Sequence, residues 1–182
     1  MIALVNTTVS NYNTNNLGSF NSPFRFSELV GQIDDTDSSI VSNITTVQMS
    51  KTFTPTLNES SSYTIPFNNG LFNPHSGHAS VVSSTGFKIS GNENELFLQD
   101  DGNGVLQTFY LSGTTKIVAN SSFGTVNYET GKVVINGTTI TSISNVDGSA
   151  STTIRVVVVP ASNDCLLYTS PSPRDSWASR MA

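Results

Sequence analysis

Apolar positions recur along this chain with two different periods. Near the start Val5, Val9 and Tyr12 fall at i, i+4 and i+7, one face of a helix. Leu29, Val30 and Ile33 repeat that spacing, behind Ser27 as an expected N-cap and Glu28 as an acid in the first turn. Between these stretches Gly18 and Pro23 signal a turn. The rings of Phe24 and Phe26, with Phe20 just upstream, suggest a short extended segment on which alternate residues share a face. Asp34, Asp35 and Asp37 close the second helix.

From about Asn43 the period becomes two. Ile44, Thr46, Gln48 and Ser50 alternate with Thr45, Val47, Met49 and Lys51, which predicts a strand ending before Pro55. Short extended runs follow over 63–67, 79–82, 86–90, 96–99, 105–111, 116–119, 125–128, 132–135, 138–143 and 152–159. The turns between them carry residues that accept positive φ: Asp101-Gly102-Asn103-Gly104, Ser112-Gly113, Glu129-Thr130-Gly131, Asn136-Gly137 and Asp147-Gly148. Such spacing predicts a mainly β fold, an antiparallel β-sandwich or barrel preceded by a short helical segment. The end breaks the pattern. CLLYTSPSPRDSWASRMA has no period and resembles the translation of a sequencing adaptor, so 165–182 are expected to be an unstructured, non-native tail in which Cys165 and Trp177 have no role.

Composition narrows the functional classes. Charged residues make up 12% of the 182, and the net charge is −5 with only eight Lys and Arg. That leaves no electrostatic footprint for nucleic acid or an anionic membrane. No apolar run reaches the length of a membrane-spanning helix, and the first residues lack the pattern of a secretory signal. Asn-x-Ser/Thr triplets begin at Asn6, Asn43, Asn58, Asn120 and Asn136, as chance produces in a chain this rich in those residues. With one cysteine, an internal disulfide is excluded and stability must come from burial and sheet hydrogen bonding.

Candidate chemistry is sparse. His75 and His78 lie three apart in a Pro/Gly loop. They could begin a zinc or iron site, but no thiolate or acid lies nearby in sequence to complete it, so backbone-bonded loop histidines are expected. Asp34, Asp35 and Asp37, and separately Asp101 with Asn103, carry some calcium-type ligands without the full set or a closing Glu. They are expected to be a solvated helix end and a hairpin turn. No G-x-S-x-G elbow presents a serine to a histidine, and Glu28, Glu59, Glu93, Glu95 and Glu129 offer no distinguishable pair. No catalytic residue, metal site or cofactor is expected.

The order of several segments nevertheless resembles a known family. SPFRFSELVGQIDDTDSSIVSN, from Ser22 to Asn43, resembles the closing segment of the baseplate J-like domain of contractile phage tails. FTPTLNE at Phe53, STGFKISG at Ser84, LFLQDDGNG at Leu96, GTVNYETGKVVING at Gly124 and VVVVPASND at Val156 resemble the β-rich continuation in the large baseplate wedge protein of T-even-type phages. The resemblance implies an internal fragment of a longer protein, with Met1 a fortuitous start. Residues 1–43 would end a J-like domain, and 44–164 would form an antiparallel β-domain.

It further implies a non-enzymatic structural subunit of the virion, a part of the tail baseplate assembled in the host cytoplasm. Its partners would be other wedge subunits and a second copy of itself, with no nucleic acid or membrane involved. Phe24, Phe26, Leu29, Val30 and Ile33 concentrate apolar area in a short segment and are the expected partner interface. The rival reading is a receptor- or carbohydrate-binding β-domain of a tail fibre or adhesin, which a polar all-β surface would equally suit.

Overall fold

The computed structural model describes residues 1–17, 23–163 and 165–166. The chain divides into two compact units, one formed by Met1–Val47 with the segment from Asn163, the other by Gln48–Ser162.

In the first unit, helix α1 spans Ile2–Asn16. Its many Asn, Thr, Ser and Val residues are mediocre helix formers, so a tertiary anchor matters more than propensity. That anchor is Tyr12, which is buried. Its hydroxyl donates to the carbonyl of Arg25 at 3.1 Å and accepts from the Arg25 amide at 3.0 Å. Helix α2 spans Phe26–Asp34 and turns Leu29 and Ile33, one helical turn apart, onto Tyr12. The ring of Phe24 meets Tyr12 edge-on, with centroids 5.9 Å apart, an arrangement that aromatic quadrupoles favour.

Ser27 is not the N-cap. The helix begins two residues earlier than that cap would place it, at Phe26, and Arg25 holds the cap position in an extended conformation with no side-chain cap bond. The Tyr12 hydroxyl takes the Arg25 backbone instead, fixing where the chain turns into the helix. Strand β1, Pro23–Phe24, pairs antiparallel with β11, Cys165–Leu166, in the register Pro23 to Leu166 and Phe24 to Cys165. Most of the expected 165–182 tail lies outside the described residues; its first two residues are in this pairing.

The second unit is antiparallel β throughout, as the period of two predicts. Strand β2 covers Met49–Phe53, not Ile44–Lys51. The alternation over 44–48 has the right period, but a strand also needs a partner. Here the partner is β10, Ile154–Val158, whose last residue pairs with Met49. Residues 44–48 form no ladder, and Ile44 is 98% exposed. Strand β4, Val82–Ser84, flanks β10 on its other side to complete a three-stranded sheet.

Strands β5 (Phe87–Ile89), β6 (Asn92–Asp100), β7 (Val105–Ser112), β8 (Thr115–Asn127) and β9 (Lys132–Ile143) pair in sequence, and β9 pairs with both β8 and β5, closing a five-stranded barrel. Closure leaves the barrel strands with few bare edges. Strand β3, Ser60–Pro66, adds to the edge of β9. Close approach of β8 to β9 requires glycine at 124, where a Cβ would lie 1.9 Å from the carbonyl oxygen of Val134. The interior is built from Phe87, Leu96, Leu98, Leu106, Val133, Ile135 and Ile140, with Ile154, Val156 and Val158 of β10 in the same cluster.

Two pairs of expected strands are continuous. Runs 116–119 and 125–128 merge into β8, and 132–135 and 138–143 into β9. Asn136-Gly137 is consequently not a turn. The ladder to β3 shifts there, from Ser61 opposite Thr138 to Tyr63 opposite Ile135, so one residue of β3 faces two of β9 in a β-bulge. The other expected turns do carry positive φ, including Gly102, Gly104, Gly113 and Gly131, and both Asp147 and Gly148.

Candidate functional site

The apolar segment of the first unit is divided between inside and outside. Leu29 and Ile33 are each 7% exposed and serve the core, whereas Phe24, Phe26 and Val30 are half-buried. Beyond α2 the chain carries Val41 and Ile44 almost fully in solvent. Polar bonds shape this stretch. Asp34 Oδ1 accepts the Asn43 amide at 2.6 Å, and Asn43 Oδ1 accepts the Thr45 hydroxyl at 2.8 Å. Asp37 Oδ1 accepts both the hydroxyl and the backbone N–H of Ser39. Those two bonds, the hydroxyl first, hold the Asp37 carboxyl below its ordinary range. Asp34 and Asp37 therefore work as turn chemistry.

In the second unit the polar centre is Asp100, which the sequence reading passed over. Its side chain lies within the β-unit, 3% exposed. Oδ1 accepts the Ser80 hydroxyl at 2.7 Å and the N–H groups of Val81 and Val82 at 2.7 and 2.9 Å. Oδ2 accepts the Tyr128 hydroxyl at 2.7 Å and the Gly102 N–H at 3.3 Å. One carboxylate thereby ties the approach to β4, the β6–β7 turn and the turn after β8.

Burial pushes the Asp100 carboxyl up, but the bonds from Tyr128, Ser80, Val82 and Val81 together outweigh it and hold it below its ordinary value. Burial, then the bond to Asp100 and its charge, raise the Tyr128 hydroxyl well above the usual tyrosine range, so it stays a neutral donor. A carboxylate saturated by five donors is a poor general base; its work is to fix three loops. A signal was available in the alternation: Leu96, Leu98 and Asp100 share one strand face, and two of the three are leucines of the interior.

The histidines adjoin this centre. His75 Nδ1 lies 3.0 Å from the carbonyl oxygen of Ser76, and His78 Nδ1 lies 2.7 Å from that of Ala79. The His78 ring is buried, meets Tyr128 edge-on at 5.1 Å between centroids, and its Nε2 has no hydrogen-bond partner among the described residues. Backbone bonding is what a loop histidine in a Pro/Gly segment was expected to do. Among the described residues no group of three or more His, Cys, Asp or Glu side chains gathers to hold a metal. Asp101 Oδ1 accepts the N–H groups of Asn103 and Val105 at 2.8 and 3.0 Å, which builds the hairpin turn and leaves that oxygen engaged. No described helix is long and apolar enough to cross a membrane.

Among curated proteins none matches this chain. Residues 2–52 match the family model of baseplate structural protein gp6, C-terminal domain III. The match spans α1, α2, the exposed stretch around Ile44 and most of β2, and it supports a phage baseplate protein with a structural role.

Proposed function

We propose that this chain is part of a wedge subunit of a phage tail baseplate, acting by subunit contact and without catalysis. The observation that carries this reading is the match of residues 2–52 to a baseplate structural domain. Residues 1–43 are then the end of a J-like domain, 44–164 a β-domain used in contacts within the baseplate, and 165–182 a non-native tail. The working partners are other wedge subunits and a second copy of the chain, joined in a virion part assembled in the host cytoplasm. Nucleic acid, membrane and cofactors take no part. Phe24, Phe26, Leu29, Val30 and Ile33 form the contact segment, with Leu29 and Ile33 holding its shape from within and Phe24, Phe26 and Val30 offering apolar area toward a neighbour. Full burial of each such side chain is worth about 1.5–3 kcal/mol, enough for a few of them to decide an interface.

The test is sedimentation of the full chain, alone and with co-expressed wedge subunits of a contractile-tailed phage, beside a Phe26→Ser/Val30→Ser variant. Association in the parent and its loss in a variant with unchanged circular dichroism is the expected result. Monomers in every sample would overturn the reading.

A further inference from the structure

We propose that a groove on the β-unit, between the 70–74 loop, the β8–β9 turn and Ala161, binds a neutral oligosaccharide. The groove is open to solvent and has a volume of about 530 Å³. Its lining brings Phe72, Pro74 and Tyr128 together with Asn73 and Glu129. Phe72 is 45% exposed. A single exposed apolar side chain needs no explanation, but one in a concavity beside a second aromatic does.

The Tyr128 ring is fixed before any ligand arrives. Its hydroxyl donates to Asp100 and accepts the Gly104 N–H at 3.3 Å, and the His78 ring packs against it. A preset wall reduces the ordering cost of binding. The Glu129 carboxylate and the Asn73 amide are exposed and make no hydrogen bond or ion pair with the described residues. A pyranose has the matching chemistry: an apolar C–H face for the aromatic wall, and a rim of hydroxyls that donate to a carboxylate and pair with an amide.

The same lining disfavours other occupants. Among the described residues no Lys or Arg lines the groove, which leaves an anionic ligand without a cation there. A peptide would find little main chain to pair with, because the N–H groups of Leu71, Phe72 and Ala161 are spent on the carbonyls of Tyr128, Val159 and Gly70, and strand addition depends on free backbone groups.

This inference stands whether or not the chain belongs to a baseplate. The experiment is saturation-transfer NMR on the full chain with neutral trisaccharides of glucose, galactose and N-acetylglucosamine, each at about 10 mM to register weak binding. At least one is expected to receive transfer on its ring protons. Phe72→Ala should weaken binding by about tenfold or more and Glu129→Gln to a smaller degree, each with an otherwise unchanged amide spectrum. Leu57→Ala, in a separate groove beside Thr54 and Ser142, should leave it unaltered. Absence of transfer to every sugar, or transfer undiminished by Phe72→Ala, would each overturn the proposal.

Discussion

Residues 1–47 and 48–162 draw on one polar alphabet yet bury their apolar side chains by different means. The described core of the helical unit is Tyr12, Leu29 and Ile33, with Val5, Leu17 and Phe24 packed around it. Its precision comes from a polar handle on an aromatic ring, since Tyr12 bonds both backbone groups of Arg25. The β-unit instead packs Phe87, Leu96, Leu98, Leu106 and the valines and isoleucines of β9 and β10 into one cluster, and its loops are pinned by Asp100. A small core makes each of its members matter to the local unit, and it leaves little to spare when one is removed. A closed barrel spreads the load over many side chains and fails only when the interior is hollowed.

The largest expected effect tests that difference. Phe87 is 1% exposed at the middle of the β-unit core, with its ring 6.1 Å from that of Phe123. Phe87→Ala is expected to destabilise the β-unit by about 3–5 kcal/mol. Leu29→Ala, in the thinner core, should lose about 2–3 kcal/mol of local stability, toward the lower end for such a truncation. Amide hydrogen exchange on the full chain separates the outcomes. Protection should fall in β5–β9 for the first variant and in α1 and α2 for the second. If either substitution lowers protection equally in both units, they unfold as one and the division fails.

Asp100 sharpens the contrast from the polar side. Asp100→Asn removes the charge that five donors converge on, and is expected to cost about 2–3 kcal/mol, in the range of hydrogen bonds to charged groups. The pH dependence follows from the direction of the shift. The folded carboxyl titrates below its unfolded value of about 3.9, so its stabilising contribution is complete above that value and is lost as pH falls through the depressed folded one. Urea midpoints measured from pH 6 downward should drop below about pH 4, with a shallower drop in Asp100→Asn. Parallel acid limbs would show that other carboxylates dominate.

The sequence carried the β period, most of the Gly-bearing turns and the helical spacing of Leu29 and Ile33, because these depend on neighbours along the chain. Less legible were features that depend on partners distant in sequence. The alternation over 44–48 has a strand's pattern, but β10 ends opposite Met49. Ser27 suits an N-cap, but the Tyr12 hydroxyl moves the helix start to Phe26. Asp100 sits on the leucine face of β6, a visible clue, whereas its donors come from residues 80–82, 102 and 128 and no local spacing could reveal them. The oligosaccharide groove is likewise assembled from loops at 70–74, 128–129 and 161. The division of the interface segment, with Leu29 and Ile33 inside, needed the position of α1.

The smallest expected effect concerns the pair that most resembled a hairpin. Asn136-Gly137 has the composition of a tight two-residue turn, yet it lies within β9. If it were such a turn, Gly137 would need positive φ, and alanine there would be strained whatever space surrounded it. Gly137 is not among the residues with positive φ, and a Cβ would meet only the Ser60 and Ser62 hydroxyls at 3.7 Å, ordinary contact distance. Replacing glycine at a compatible backbone position reduces the freedom of the unfolded chain. Gly137→Ala should therefore leave the denaturation midpoint unchanged or raise it, by at most about 1 kcal/mol. Gly124→Ala supplies the control, since its Cβ would strike the Val134 carbonyl oxygen and should lower the midpoint clearly. A loss from Gly137→Ala comparable to that from Gly124→Ala would mean that the backbone turns at 137, that β9 is two strands, and that the barrel closes differently.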